Sequence, residues 1–177
     1  MREMSRRMAL CGVLSALAMV ALMLGGLLPL ATFCAPILAM VALLPILPEF
    51  GPRWAWAAYG ATALLALLLV PDREMGLVYV FFGGYPLLRP YLERIPTRPL
   101  RLAGKLLVCN AAMAALYAVV LFVFQLEAVT AEFSTLSAGF LGLLLLLANA
   151  NFLVLDLVIG RLTALWNHKL RRKLLRQ

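Results

Sequence analysis

The sequence predicts an all-α, polytopic membrane protein, and three observations support that fold class. Hydrophobic residues make up 64% of the 177 residues, whereas charged residues make up only 14%. Soluble domains are about 45–50% apolar, and a chain of this length has too much surface to hide such an excess in a water-soluble core. The apolar residues also form long runs, and basic residues cluster in alternate gaps between them. We therefore expect lipid to be the solvent for most of the chain.

The lengths of the apolar runs predict a bundle of six transmembrane helices. No charged side chain occurs from Met8 to Leu47, a stretch that would extend about 60 Å as a helix. Because a bilayer core is about 30 Å thick, this stretch must cross twice, with a turn at Gly25, Gly26 and Pro29. One integral membrane domain is expected over residues 1–177, and its spans cover residues 8–28, 33–47, 54–70, 75–88, 106–126 and 136–159. The second and fourth spans are shorter than the usual ~20 residues.

The distribution of basic residues predicts the orientation of these spans. With six spans, the termini and the second and fourth loops share one side, which carries fifteen of the sixteen Lys and Arg residues. Because basic residues concentrate in cytoplasmic loops, both termini are expected in the cytoplasm, including the basic tail of residues 160–177. The cell (plasma) membrane is the expected location. The net charge of +8 is then explained by orientation and contact with anionic lipid, and we expect no nucleic-acid partner.

Motifs for enzymatic chemistry are missing from the sequence. The only histidine, His168, falls in the basic tail, and no HExxH, GxSxG or P-loop pattern occurs. Cys11, Cys34 and Cys109 are far apart and odd in number, which does not suit a disulfide framework or a metal site. Asp156 is the only carboxylate inside the predicted spans, so a paired acid–base mechanism lacks its second member. We expect no catalytic residue, no metal and no cofactor.

Polar side chains inside the spans are candidate ligand contacts. Asn110 lies in the fifth span, and Asn149, Asn151 and Asp156 lie in the sixth. On a helix, Asn149 and Asp156 share a face, whereas Asn151 points nearly opposite Asn149. Each asparagine is expected either to make an interhelical hydrogen bond or to contact a ligand. Asp156 is expected either to pair with Arg161 or a basic residue of the fourth loop, or to act in gating or binding.

The fourth span is interrupted by its own sequence. Gly83, Gly84 and Pro86 disfavour a continuous helix, because glycine and proline are poor in helix interiors and proline lacks a backbone donor. One hypothesis is that the break lines an internal cavity, where Tyr79 and Tyr85 contact a ligand. The alternative is a kinked packing helix in which both tyrosines are ordinary core or interfacial aromatics.

The first span carries a row of small residues and a resemblance to a known family. Ala9, Gly12 and Ala16 lie on one helix face, and small residues let helix backbones approach closely, so this face is a candidate docking surface. The basic start and the Ala-rich helix of "SRRMALCGVLSALAMVAL", in a compact six-span layout, resemble the S components of energy-coupling factor vitamin transporters. Those proteins are the substrate-binding membrane subunits of the transporters.

This resemblance implies a helical bundle, a vitamin or metal ion held near the outer face, and docking to a transmembrane T component driven by two ATPases. In that family the first helix docks through an Ala-x-x-x-Ala face, to which Gly12-x-x-x-Ala16 is the nearest match here. The segments "VPDREMGLVYVFFGGYPLLRPYLERI" and "ANANFLVLDLVIGRL" also resemble small membrane proteins of Gram-positive bacteria, a resemblance that brings no function with it. The expected function is capture of a vitamin-like molecule for uptake. The alternative is a non-transporting membrane subunit or scaffold that docks partner proteins.

Overall fold

The described residues are helical, which confirms the predicted all-α fold class. The computed structural model describes residues 2–27, 32–120 and 138–166, and these form no strand. The helices are α1 (Arg2–Gly25), α2 (Cys34–Leu43), α3 (Ile46–Phe50), α4 (Pro52–Leu69), α5 (Arg73–Phe82), α6 (Tyr85–Glu93), α7 (Arg98–Val119) and α8 (Ala138–Leu165).

Three of these helices are long and apolar enough to cross a membrane. They are Met4–Gly25 of α1, Arg98–Val119 of α7 and Gly139–Leu165 of α8, and they correspond to the predicted first, fifth and sixth spans. The predicted third span is α4. The predicted second and fourth spans are each a pair of shorter helices, α2 with α3 and α5 with α6. Residue 28 and residues 121–126, 136–137 and 167–177 of the predicted spans and tail lie outside the described residues.

The stretch between the predicted fourth and fifth spans is helical rather than a loop. Helix α6 continues to Glu93 and α7 begins at Arg98, so only residues 94–97 connect them. Pro99 stands in the first turn of α7, where its missing N–H costs no helical hydrogen bond. The leucine, arginine, alanine and lysine residues that follow are good helix formers. Residues 89–93 and 98–105 of the predicted loop are therefore helical, Lys105 included, and the cytoplasmic location of this stretch stays a prediction.

The chain divides into two compact units. Unit 1 comprises Met1–Tyr91 and Ile159–Gln177, and unit 2 comprises Leu92–Val158. In unit 1, α1, α2, α4 and α5 pack on one another, and α3 packs on α4. In unit 2, α7 and the part of α8 before residue 159 are joined by polar side chains. The prediction of a single membrane domain stays a prediction.

Small residues bring the helices of unit 1 close together. Ala18 in α1, Ala39 in α2 and Ala66 in α4 are each at most 1% exposed. A Cβ added to Gly25 would lie 2.1 Å from the Cβ of Ala35, so α1 approaches α2 closely because residue 25 has no side chain. Close approach of this kind is a principal source of helix association in lipid, where no hydrophobic difference drives helices together.

Local sequence determines where two helices of unit 1 begin. Helix α4 follows Gly51, whose φ of +88° is accessible to glycine at little steric cost, and it opens with Pro52 in the favoured first-turn position. Helix α5 is capped by Asp72. Its carboxylate accepts hydrogen bonds from the backbone N–H groups of Glu74 at 3.0 Å and Met75 at 3.2 Å, which satisfies donors that the helix leaves unpaired.

Candidate functional site

Charged side chains form a partly buried cluster in unit 2. Lys105 of α7 donates from Nζ to Oδ2 of Asp156 on α8 at 2.6 Å and to Oε1 of Glu93 at 2.7 Å. Arg101, four residues before Lys105, donates from Nη1 to Oε2 of Glu93 at 2.9 Å. Lys105 and Asp156 are only 7% and 6% exposed, so each charge depends on its partners for stabilisation. We call these four residues the ion cluster.

The ion cluster shows what the sequence indicated and what it missed. Asp156 contacts Lys105, one of the basic residues between the predicted fourth and fifth spans, and its part in gating or binding stays a prediction. Lys105, Glu93 and Arg101 were not predicted as site residues. A signal for Lys105 was present, because it directly precedes the predicted fifth span and Asp156 lies near the end of the sixth. In a six-span topology, both positions fall near the same membrane surface.

An open groove of about 380 Å³ lies beside the ion cluster. Its lining comes from α7 and α8, namely Arg98, Arg101, Leu102, Lys105, Leu153, Asp156 and Leu157. Together with Glu93 of the cluster, the groove carries three cations and two carboxylates. Two of these cations, Arg101 and Lys105, are paired with the carboxylates of Glu93 and Asp156.

Asn110 and Asn149 form a reciprocal amide pair between α7 and α8. Nδ2 of Asn110 donates to Oδ1 of Asn149 at 3.0 Å, and Nδ2 of Asn149 donates to Oδ1 of Asn110 at 3.2 Å. Each Nδ2 also donates to a backbone carbonyl of its own helix at 2.8 Å. The acceptor is the carbonyl of Leu106 for Asn110 and the carbonyl of Leu145 for Asn149. Both N–H donors of each amide are therefore used within the protein. Asn110 and Asn149 thus form the interhelical hydrogen bond that was one of the two expectations for these residues. Contact of either amide with a ligand stays a prediction.

Asn151 is separate from this amide pair. It lies on the other face of α8 and is exposed. Within the described part of the chain, its amide has no hydrogen-bond partner. The structure therefore brings together two of the three asparagines that the sequence singled out, and it leaves the third outside.

In unit 1, a tyrosine from a neighbouring helix fills the break between α5 and α6. Helix α5 ends at Phe82 and α6 begins at Tyr85, which places the break at the Gly83–Gly84 pair. The hydroxyl of Tyr59 in α4 donates to the carbonyl of Val80. In a continuous helix, that carbonyl would accept from the N–H of residue 84. The hydroxyl thus occupies an acceptor of the helical hydrogen-bond ladder, and side chains that enter the ladder are a known cause of helix kinks.

The aromatic residues around the break are buried. Tyr79 and Tyr85 are 0% and 2% exposed, and the rings of Tyr59 and Tyr79 have their centroids 6.0 Å apart. A Cβ added to Gly84 would lie 3.3 Å from the Tyr59 ring, so glycine at this position lets the ring approach. Sequence reasoning missed Tyr59, because no helical or strand spacing connects it to Val80, 21 residues away.

The enclosed space beside the break is small. A cavity of about 40 Å³ is lined by Tyr59, Gly83 and Pro86 among other residues, whereas Tyr79 and Tyr85 do not line it. Pockets for small organic ligands are typically about 300–1,000 Å³, and a space of this size suits one or two water molecules. The break does line a cavity, but in this conformation the cavity does not accommodate a vitamin-sized molecule.

The small residues of α1 face outward. Ala9, Gly12 and Ala16 are all exposed, and a Cβ added to Gly12 would meet nothing within 4 Å. Helix α1 packs within unit 1 through its other face, where Ala18 and Leu22 are fully buried. We call Ala9, Gly12 and Ala16 the α1 small face.

Neither a search for metal-binding side chains nor comparison with known proteins assigns a function to the site. Within residues 2–27, 32–120 and 138–166, no group of three or more His, Cys, Asp or Glu side chains is arranged to hold a metal ion. Comparison with protein-family models, curated proteins and solved structures finds no match for the chain. Its function is therefore inferred from its residues and their geometry.

Proposed function

We propose that the protein is a multi-pass membrane subunit that docks a helix of another membrane protein on the α1 small face. The observation that carries this proposal is the outward orientation of Ala9, Gly12 and Ala16. Small side chains leave the helix backbone open to a second helix, and close backbone packing is a main source of association in lipid. Large exposed residues such as Met8 and Val13 flank the face, so a partner helix would pack between them.

The six-span topology belongs to the same proposal, with both termini in the cytoplasm and the protein in the cell membrane. Helices α1, α7 and α8 are long enough to cross alone. In tandem, α5 and α6 extend over residues 73–93, about 30 Å at helical rise, which is the thickness of a bilayer core. The pair α2 and α3 covers residues 34–50, about 25 Å on the same basis. Pairing therefore brings the fourth span to the thickness of the bilayer core, whereas the second span, with 17 residues, stays at the short end of the usual range.

Substitutions at two glycines test the docking proposal. Gly60 in α4 is, like Gly12, an exposed helical glycine at which an added Cβ meets nothing within 4 Å. Leucine therefore fits at either position, but only Gly12→Leu fills the α1 small face. Native membranes that contain the full-length wild type or either variant are solubilised under non-denaturing conditions. Each protein is then affinity-purified, and the membrane proteins that co-purify are quantified.

We expect wild type and Gly60→Leu to recover the same membrane partner. Gly12→Leu is expected to reduce its recovery at least about tenfold, the effect of about 1.4 kcal/mol of association free energy. Full recovery with Gly12→Leu, or equal loss with both variants, would contradict docking on this face.

Capture of a small molecule for uptake, in the manner of an S component, is a more specific form of the proposal. The break between α5 and α6 favours it, because broken membrane helices are tolerated where they line a cavity and recur at the binding sites of transporters. Since the cavity beside the break is about 40 Å³, capture requires a second conformation in which the Tyr59 side chain leaves the break.

The identity of the co-purified partner separates uptake from the scaffold alternative. A transmembrane T component together with ATPases, absent from the Gly12→Leu sample, supports the uptake proposal. Recovery of other membrane proteins through the same face supports a non-transporting subunit or scaffold.

A further inference from the structure

The outward face of α8 carries one polar residue within an apolar stripe. The exposed residues of this stripe are Phe140, Leu144, Leu147, Asn151, Val154 and Val158. Their spacing alternates between four and three residues, which is the seven-residue repeat of helices that pack side by side. At 100° per residue they cover a stripe about 80° wide, opposite Asn149 and Asp156. We call these six residues the α8 seam.

Asn151 is the midpoint of α8, which runs from Ala138 to Leu165. About 20 Å of helix separates it from either end of α8, and about 12 Å separates it from residue 159, where the predicted sixth span ends. Its short side chain cannot cover either distance to reach a membrane surface. Its amide can donate two hydrogen bonds and accept others, but the described residues offer it no partner. The adjacent seam residues Leu147 and Val154 are apolar and more than half exposed, at 54% and 58%. An unpaired amide at this depth is unfavourable in hydrocarbon.

We propose that two copies of the chain associate in parallel through the α8 seam, with their Asn151 amides hydrogen-bonded to each other. Copies inserted in one membrane share orientation and depth, so a two-fold axis along the membrane normal places residue 151 of one copy opposite residue 151 of the other. An amide is complementary to a second amide, as the pair formed by Asn110 and Asn149 shows within this chain.

The position of Asn151 in the repeat supports the same partner. In the heptad abcdefg, positions a and d face the partner helix. When Asn151 is assigned to position a, Leu144 and Val158 also fall at a, and Phe140, Leu147 and Val154 fall at d. A single asparagine at an a position fixes register and oligomeric state in parallel coiled coils. This inference is independent of the α1 small face, which lies on a different helix.

Disulfide cross-linking in native membranes tests the seam. In the full-length chain with Cys11, Cys34 and Cys109 replaced by serine, single cysteines are placed at Leu147 and Val154 on the seam. Leu146 and Leu157, which are 65% and 62% exposed, lie off the seam and serve as matched controls. We expect cross-linked dimers from the seam positions and little product from the controls. Equal cross-linking at all four positions, or a seam adduct with a different protein, would overturn the proposal.

Substitution of Asn151 tests the amide pair. Association of donor- and acceptor-labelled full-length chains is measured by energy transfer in lipid vesicles over a dilution series. Asn151→Leu is expected to weaken association about 3- to 30-fold, the equivalent of one or two interhelical hydrogen bonds in lipid. Asn151→Gln retains the amide and is expected to retain most of the association, and neither variant should change the melting temperature of the monomer. If Asn151→Leu associates as strongly as the wild type, the proposed hydrogen bond between the two Asn151 amides is overturned.

Discussion

Unit 1 holds its helices together through small apolar residues, whereas unit 2 joins α7 and α8 through polar side chains. In unit 1 the contacts are made by residues such as Ala18, Ala39 and Gly25. In unit 2 the ion cluster and the amide pair connect the two helices. Lipid tails are as apolar as leucine, so helix association draws on backbone packing and on hydrogen bonds. The two units differ in which of these two sources predominates.

The difference determines which substitution harms each unit. Added volume should destabilise unit 1, because its helices meet where side chains are smallest. Removal of a polar partner should destabilise unit 2, because a charge or amide would lose one of its hydrogen-bond partners in an apolar surrounding.

The largest effect is expected from Lys105→Met in unit 2. This change leaves the buried carboxylate of Asp156 without the cation at 2.6 Å, and breaking a buried pair from one side costs about 3–5 kcal/mol. The free energy of unfolding in mixed micelles measures the loss. Asp156→Asn keeps a hydrogen-bond acceptor for Lys105 and is expected to cost less.

The control for this prediction is the double variant Lys105→Met with Asp156→Leu. It removes both charges and is expected to recover most of the stability, because apolar residues often replace a buried ion pair without loss. A double variant as unstable as Lys105→Met alone would show that the lost Lys105–Asp156 contact is not the cause of the instability.

A smaller effect is expected from Gly25→Ala in unit 1. The added Cβ would lie 2.1 Å from that of Ala35, and overpacking of this kind costs about 1–3 kcal/mol. The matched control is Gly12→Ala, since an added Cβ there meets nothing within 4 Å. The control should be neutral or stabilise the helix by up to about 1 kcal/mol. Similar losses of unfolding free energy for both variants would contradict the account of unit 1.

The smallest effect is expected for the amide pair of unit 2. A double-mutant cycle of Asn110→Ala and Asn149→Ala should give a coupling free energy of about 0.6 kcal/mol, and at most about 1.7 kcal/mol. A second cycle that pairs Asn110→Ala with Asn151→Ala is the control, because Asn151 lies on the other face of α8. Coupling should be absent in the control cycle. Equal coupling free energies in both cycles would show that the hydrogen bonds between Asn110 and Asn149 do not cause the coupling.

The helices themselves could be predicted from the sequence because their determinants are local. Apolar runs and glycine or proline residues marked the helical segments, and Gly83 and Gly84 marked the break between α5 and α6. The helical character of residues 98–105 was missed, because the charges there were interpreted as a loop although most of these residues favour helix.

The partners of the candidate site residues could not be predicted in the same way. Lys105 and Asp156 are 51 residues apart, and Tyr59 and Val80 are 21 apart, so their contacts depend on how helices pack rather than on spacing along one helix. The sequence did indicate which polar residues need a partner. Asn149 and Asn151 differ by two positions and were expected on opposite faces, but only the packed helices show which face meets α7.

Cysteine accessibility tests whether the chain crosses the membrane six times with its basic side in the cytoplasm. In a background without the native cysteines, single cysteines are placed at Thr97, which is exposed between α6 and α7, and at Thr130, which lies outside the described residues. Intact cells are treated with a membrane-impermeant thiol reagent. We expect labelling at Thr130 and no labelling at Thr97 until the cells are opened, because Thr97 belongs to the basic, cytoplasmic side. Labelling at Thr97 in intact cells would contradict this topology.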